Sequence, residues 1–242
     1  MVVDFQLARR LKELALEFPT YGYRRLWALV RFKEGFFVNK KRVHKLCKEL
    51  RLQVKTLRQR PRPRADAMPS QTKVSNQRWA IDATSFDCGR DGLGHLIAII
   101  DCHDRQVVGW HMGLRGRAKE AVAALEDACL ARFGTLLKCS DQRPVLRSDN
   151  GLIFQSRDFR RSCDDFGLEQ EFITPYTPRQ NGMIERFFRS LKEECVWLQR
   201  FNSFCEARKI VSNWIRYYNE ERPHQSLGYR SPNDVAPMQL VA

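Results

Sequence analysis

The chain has 242 residues, enough for one large domain or for a medium domain and a small one. Hydrophobic residues make up 43%, with 15 Phe and 5 Trp, which excludes a disordered chain. A formal charge of +14, from 42 Lys and Arg against 28 Asp and Glu, favours a polyanionic partner and argues against an interaction module without nucleic acid.

The charge is unevenly spread. Residues 1–65 carry 18 Lys and Arg against 5 Asp and Glu, so almost the whole excess is N-terminal. That distribution reads as a nucleic-acid-binding module attached to a nearly neutral body. The longest aliphatic run, Leu96 to Ile100, is far short of the roughly 20 residues that span a bilayer, so no membrane partner is expected. Asp4, Arg9, Arg10 and Lys12 interrupt the start, so no signal peptide is read. Eight cysteines at irregular spacings contain no C-x-x-C pair, which predicts reduced thiols in a cytoplasmic protein. His44 and Cys47 share a helical turn, but without a second pair they do not make a zinc site.

In chain order, Phe5, Leu7, Leu11, Leu14 and Phe18 recur at helical spacing and predict a first helix. Pro19 and Gly22 mark a turn, and Leu26, Leu29 and Val30 predict a second helix closed by Gly35. Asn39 then caps a third, with Val43, Leu46, Cys47 and Leu50 inward and Lys41, Arg42, Lys45 and Lys48 outward. A helix with a basic face after a short turn is the layout of a helix-turn-helix DNA reader, and these four cations are the expected DNA contacts. This domain is expected over residues 1–58, followed by a basic, Pro-rich linker over 59–75 that tracks phosphates in extended form.

From Asn76 the pattern changes. "QRWAIDATSF", "GHLIAIID" and "QVVGWHM" predict three strands, and "RAKEAVAALEDACLARFG" predicts a helix ended by Gly134. "PVLRSD" predicts a fourth strand. A helix capped by Ser156 and ended by Gly167 follows, then a fifth strand in "LEQEFI". A long helix, "NGMIERFFRSLKEECVWL", carries Ile184, Phe187, Leu191, Cys195 and Leu198 on one side. The order predicts an α/β domain with one mixed five-stranded sheet and flanking helices over 76–200, then a helical tail over 201–242.

Three acids stand out against this layout. Asp82 is read as ending the first strand run, Asp149 follows the fourth strand, and Glu185 lies in the first turn of the last core helix, 35 residues beyond. Glu185, Arg189 and Lys192 share a helix face opposite the apolar stripe, an arrangement suited to a metal and a DNA backbone. Phosphoryl transfer at a phosphodiester is served by two divalent cations about 3.5–4 Å apart, and Mg²⁺ takes oxygen ligands. Three carboxylates supply them without histidine or cysteine. The same acids also have structural readings, as a turn, a helix N-terminus and a strand end. Asp87, Asp101, Asp104 and Asp141 are rival acids near strand ends and are read as structural. A Walker-type loop and a G-x-S-x-G elbow are both missing from the sequence.

The segments "WAIDAT", "SDNG", "TPYTPRQNGMIERFFRSLK" and "YYNEERPHQSLGYRSP" resemble the DDE transposases of bacterial insertion sequences. The likeness is to the second-reading-frame product of the insertion-sequence-three family, which is related to retroviral integrases. "YGYRRLWALVRFKEGFFVNKKRVHKLCKEL" is similar to the helix-turn-helix segment that precedes the core in that family. The resemblance implies an RNase H-like fold, with Asp82, Asp149 and Glu185 as catalytic ligands of two Mg²⁺ or Mn²⁺ ions. It implies double-stranded DNA, as element ends and target, for substrate, and a homo-oligomer on DNA in the bacterial cytoplasm. Tyr176, Gln180 and Asn181 fall in the loop that lies close to the DNA end in integrases. An upstream-frame partner, with its own helix-turn-helix and leucine zipper, is expected to aid end recognition and multimerisation, and this chain is expected to lack that part. The expected activity is metal-dependent cleavage and strand transfer. The alternatives are an inactive DNA-binding regulator of transposition and a nuclease of the same fold without strand transfer.

Overall fold

The computed structural model describes residues 2–54, 72–136, 144–174 and 178–237. The chain divides into two compact units: Met1–Pro63 with Pro223–Arg230, and Arg64–Arg222 with Ser231–Ala242.

The first unit is helical. Helices α1 (Val2–Glu17), α2 (Tyr23–Ala28) and α3 (Lys40–Glu49) bury Leu7, Leu11, Leu14, Leu26, Leu29, Val30, Val43, Leu46 and Cys47. Phe5, expected in the apolar stripe, is instead 75% exposed, because the buried face of α1 runs through Leu7, Leu11 and Leu14 at 4- and 3-residue steps. Helix α2 continues into a wider π-helical turn, Leu29–Lys33, where the Glu34 N–H donates to the Leu29 carbonyl. Gly35, at φ +73°, then turns the chain out of the helix, a backbone state that glycine adopts without strain. Helix α3 starts as its sequence predicts, with Asn39 Oδ1 accepting from the Arg42 N–H at 2.8 Å. Lys41, Arg42, Lys45 and Lys48 are all exposed.

The second unit is a five-stranded mixed sheet in the order β3-β2-β1-β4-β5. Strands β1 (Arg78–Asp87), β2 (Leu93–Asp101) and β3 (Val107–Gly113) form an antiparallel meander. Strands β4 (Val145–Ser148) and β5 (Glu169–Phe172) add in parallel. Alternation along each strand separates two cores. Trp79, Ile81, Ile97 and Ile99 pack with α4 (Ala118–Phe133) and α6 (Arg157–Asp165). Ala80, Phe86, Leu96 and Ala98 pack with α7 (Gly182–Glu194) and α8 (Phe204–Glu220). A short α5 (Leu152–Gln155) intervenes after β4.

Two boundaries depart from the sequence-based expectation. The α7 stripe stops short of Leu198, which is 51% exposed, because α7 ends at Glu194 and the chain tightens into a 3₁₀ turn over Val196–Leu198. Arg222 fixes that end, donating to both carboxylate oxygens of Glu194 at 2.6 and 2.8 Å in a site almost closed to solvent. Asp82 does not end β1 either. The strand runs on to Asp87, because β2 pairs with it throughout and only β4 stops, at Ala80.

Candidate active site

The register of the sheet brings the first two acids together. In the parallel pair β1–β4, Ala80 lies opposite Arg147. Extending that register by two residues sets Asp82 opposite Asp149, just beyond the C-terminal end of β4. Carboxyl ends of parallel strands, where one strand outruns its neighbour, are open to solvent on that edge, and ligand sites of α/β sheets gather there.

Each acid is held by local backbone. The Ala83 N–H donates to Asp82 Oδ1 at 2.7 Å. Asp149 Oδ1 accepts from the Gly151 N–H at 2.9 Å, an Asx-turn that reverses the chain after β4. A Cβ at residue 151 would lie 2.9 Å from Asp149 Oδ1, so a larger residue there would displace the carboxylate. Asn150 pins the same turn to β5, its Nδ2 donating to the Ile173 carbonyl at 3.0 Å.

Helix α7 carries the third acid, and its start is tied to the sheet by two bonds. Asn181 Nδ2 donates to the carbonyl of Ile81, next to Asp82, at 3.3 Å. Arg147, 3% exposed, donates to the Gln180 carbonyl at 2.9 Å and forks onto Glu171 of β5 at 2.9 and 3.1 Å. Burial of Ile184, Phe187, Phe188 and Leu191 against β1 and β2 fixes the rotation of α7, leaving Glu185 exposed.

The electrostatics tie the three acids into one neighbourhood. The Asp82 carboxyl is pushed up to about 6, first by burial, then by repulsion from Asp149 and Glu185. The Ala83 N–H and the ammonium of Lys192 act in the opposite direction. Among the described residues no three ligating side chains converge tightly enough to form a ready-made metal site. The donor set itself fits a hard divalent cation, having carboxylate oxygen and no thiol or imidazole.

The other expected site residues fall as follows. Lys192 reaches the field of Asp82, while Arg189 is paired with Glu193 at 2.7 Å. Gln180 spans the loop ahead of α7, accepting from the Thr174 N–H at 2.7 Å and donating to its hydroxyl at 3.2 Å. Asn181 is buried, and its Oδ1 finds no hydrogen-bond partner among the described residues. Tyr176 and Asp141 lie outside the described residues. Asp101 and Asp104 are fully buried around Arg132, whose guanidinium is 2.8 Å from Asp104, a network remote from Asp82 along β1–β2. Arg147 was the residue that pattern reading passed over. An arginine in the short "VLRS" strand, two residues before an acid, was the available signal.

A cleft of about 370 Å³ follows β3 between α4 and α8, lined among others by Trp110, Asp127, Leu130 and Asn219. It holds none of the three acids, and β2 lies between β3 and the strand that carries Asp82.

Comparison with known proteins bears on the fold and the family. Two family models described as integrase core domain match residues 73–178 and 166–232, and one described as HTH-like domain matches residues 3–60. The chain is 31% identical over 238 residues to the transposase InsD for insertion element IS2A/D/F/H/I/K of Escherichia coli, covering 96% of this chain and 78% of that one. InsD for insertion element IS2-9 of Escherichia coli strain K12 is also 31% identical, with 96% and 76% covered. A chain of the simian T-cell lymphotropic virus intasome, solved in complex with PP2A regulatory subunit B56 gamma, shares the fold at a TM-score of 0.59. It is 17% identical, and the match covers 96% of this chain and 76% of that chain. An RNase H-like integrase core accompanied by a helix-turn-helix-like unit is therefore the architecture, and the chain belongs to the IS2-type transposase family of bacterial insertion elements.

Proposed function

We propose that the chain is a polynucleotidyl transferase that cleaves DNA at the ends of an insertion element and joins the freed 3′ ends to target DNA. Asp82, Asp149 and Glu185 are the residues that would hold two Mg²⁺ or Mn²⁺ ions. When bound, such ions activate the attacking oxygen and stabilise the leaving oxygen of an in-line displacement. The observation that carries the reading is the register that sets Asp82 opposite Asp149 at the open end of β4, where burial raises the Asp82 carboxyl and the charges of Asp149 and Glu185 add to that rise.

The chain's own residues do the rest. Asp82 and Asp149, on rigid strand and turn backbone, set one side of the site. Glu185, on a helix tied to Ile81 and Arg147, sets the other. Lys192 lies seven residues along α7 from Glu185, two turns on the same face, and is suited to hold a scissile or flanking phosphate. Lys41, Arg42, Lys45 and Lys48 on the exposed face of α3 would contact duplex DNA, and Tyr176, Gln180 and Asn181 are the further residues proposed to meet it. This reading implies a homo-oligomer on DNA, an upstream-frame protein as helper, and a bacterial cytoplasmic setting. Among the described residues no helix is long and apolar enough to cross a membrane.

The test is supercoiled plasmid incubated with purified protein and Mg²⁺ or Mn²⁺, beside Glu185→Gln. Nicked and joined products in the wild type, at least about a hundredfold weaker in the variant, are the expected result. Nicking without joining would favour the nuclease alternative. DNA binding with no cleavage by either protein would sink the claim that this chain acts as an enzyme alone and favour the regulator.

A further inference from the structure

The tail segment Pro223–Arg230 belongs to the helical N-terminal unit, although 168 residues separate it from Val54, the last described residue of that unit's first segment. Its turn is tightly made. The Leu227 and Tyr229 N–H groups both donate to the His224 carbonyl, at 3.0 and 2.8 Å, and the His224 N–H donates to the Arg230 carbonyl at 3.1 Å. Gly228 at φ +66° and Tyr229 at φ +69° place two successive residues in the left-handed region. For tyrosine that conformation is unfavourable, so packing must hold it there.

Against it pack Trp27 of α2 and Lys40, the first residue of α3. The Tyr229 ring meets the Trp27 indole edge to face, with centroids 5.2 Å apart and planes at 82°. The Lys40 ammonium lies 4.7 Å from the Trp27 centroid and 4.9 Å from that of Tyr229, shared between the two rings. Trp27 Nε1–H donates to the carbonyl of Val38 at 2.8 Å, which fixes the indole against the residue just before the Asn39 cap. Lys40 is the first residue of α3, and residues near the start of such a helix are the ones that reach base edges and phosphates. A flexible lysine stem over two ring faces loses much of its freedom before any DNA arrives.

We propose that Tyr229 is a positioning residue of the DNA-reading helix, holding Lys40 and the first turn of α3 in their binding arrangement from the opposite end of the chain. The proposal rests on the DNA-binding reading of α3 and deepens it. Sequence inspection assigns Lys40 no role and leaves "SLGYRSP" as tail.

Four variants of the full chain test it: Tyr229→Phe, Tyr229→Leu, Lys40→Met, and the last two combined. Binding to a labelled duplex of arbitrary sequence is followed by fluorescence anisotropy. Tyr229→Phe, which keeps the ring, should bind as wild type. Tyr229→Leu, which keeps bulk but no ring face, should bind about three- to tenfold more weakly. The double variant should bind no more weakly than Lys40→Met. Wild-type affinity in Tyr229→Leu, or losses that multiply in the double variant, would overturn the proposal. Hydrogen exchange without DNA gives an independent readout. Amides of Lys41 to Leu46 should exchange faster in Tyr229→Leu and not in Tyr229→Phe, with α1 amides unchanged in both. No acceleration, or equal acceleration in α1, overturns the proposal. Failure of the wild type to bind any duplex would instead remove the DNA-binding reading, while the exchange data still decide whether Tyr229 positions α3.

Discussion

Asp82 carries the clearest trade between stability and the site. Its folded carboxyl is pushed from the ordinary 3.8 up to about 6 by burial and by two acidic neighbours. The folded state therefore binds this proton more tightly than the unfolded chain, and stability falls as pH rises through about 4 to 6. Above that window the full penalty applies, on the order of 1–3 kcal/mol. Asp82→Asn should then raise the melting temperature at pH 7.5 by several degrees, and the gain should vanish below about pH 4. A gain that persists at low pH would mean that relief of the buried, crowded charge is not its source. Thermal scans across pH, in buffer free of divalent cations, check this. Where a functional carboxylate stands among like charges, removing it is expected to stabilise the protein while abolishing activity.

Elements are held by a few sharp contacts. Gly109 in β3 lies so close to α4 that an added Cβ would sit 2.3 Å from the Ala124 carbonyl and 2.6 Å from the Ala128 nitrogen. Backbone cannot give way by that much, so Gly109→Ala should cost about 3 kcal/mol or more in chemical denaturation. A change below about 1 kcal/mol would mean that α4 shifts freely against the sheet. At the other end of the core, Arg222 and Glu194 are 4% and 7% exposed and bonded at 2.6 Å. Arg222→Met removes this ion pair from a buried Glu194 and should cost about 3–5 kcal/mol. Combining it with Glu194→Gln should recover part of that loss, which separates charge burial from packing. Neither contact was legible beforehand. Gly109 reads as any glycine in a strand, and Arg222 as one of several tail cations. Caps and breakers were legible, because Asn39, Ser156, Gly35, Gly134 and Gly167 act through backbone within a few residues.

At the scale of the molecule, charge separates the two units. The N-terminal 65 residues hold nearly all of the +14 excess, and four exposed cations line α3. Each phosphate contact contributes about 0.9 to the slope of log affinity against log salt. Replacing Lys41, Arg42, Lys45 and Lys48 by glutamine should therefore lower that slope by about 3 to 4 in a salt titration of duplex binding. An unchanged slope would show that these cations do not meet phosphate. Glu185→Gln, by contrast, should leave the slope intact while removing cleavage, since its carboxylate belongs to the other unit.

By itself, the sequence determined the class of the main elements, the sheet's membership and the inward stripes of α3 and most of α7, and it singled out the three acids proposed for one site. Those features rest on local periodicity, short-range capping and a motif whose spacing is written in the chain. Tertiary structure alone decided that Asp82 lies inside a strand that outruns β4, which depends on where a partner strand stops. It alone revealed Arg147 bridging β4, β5 and the start of α7, and it alone exposed Phe5 and Leu198. It also moved Tyr229 from the tail to the root of α3. Such contacts join residues tens to hundreds of positions apart. No local propensity encodes them, because their energy exists only once the chain has closed on itself.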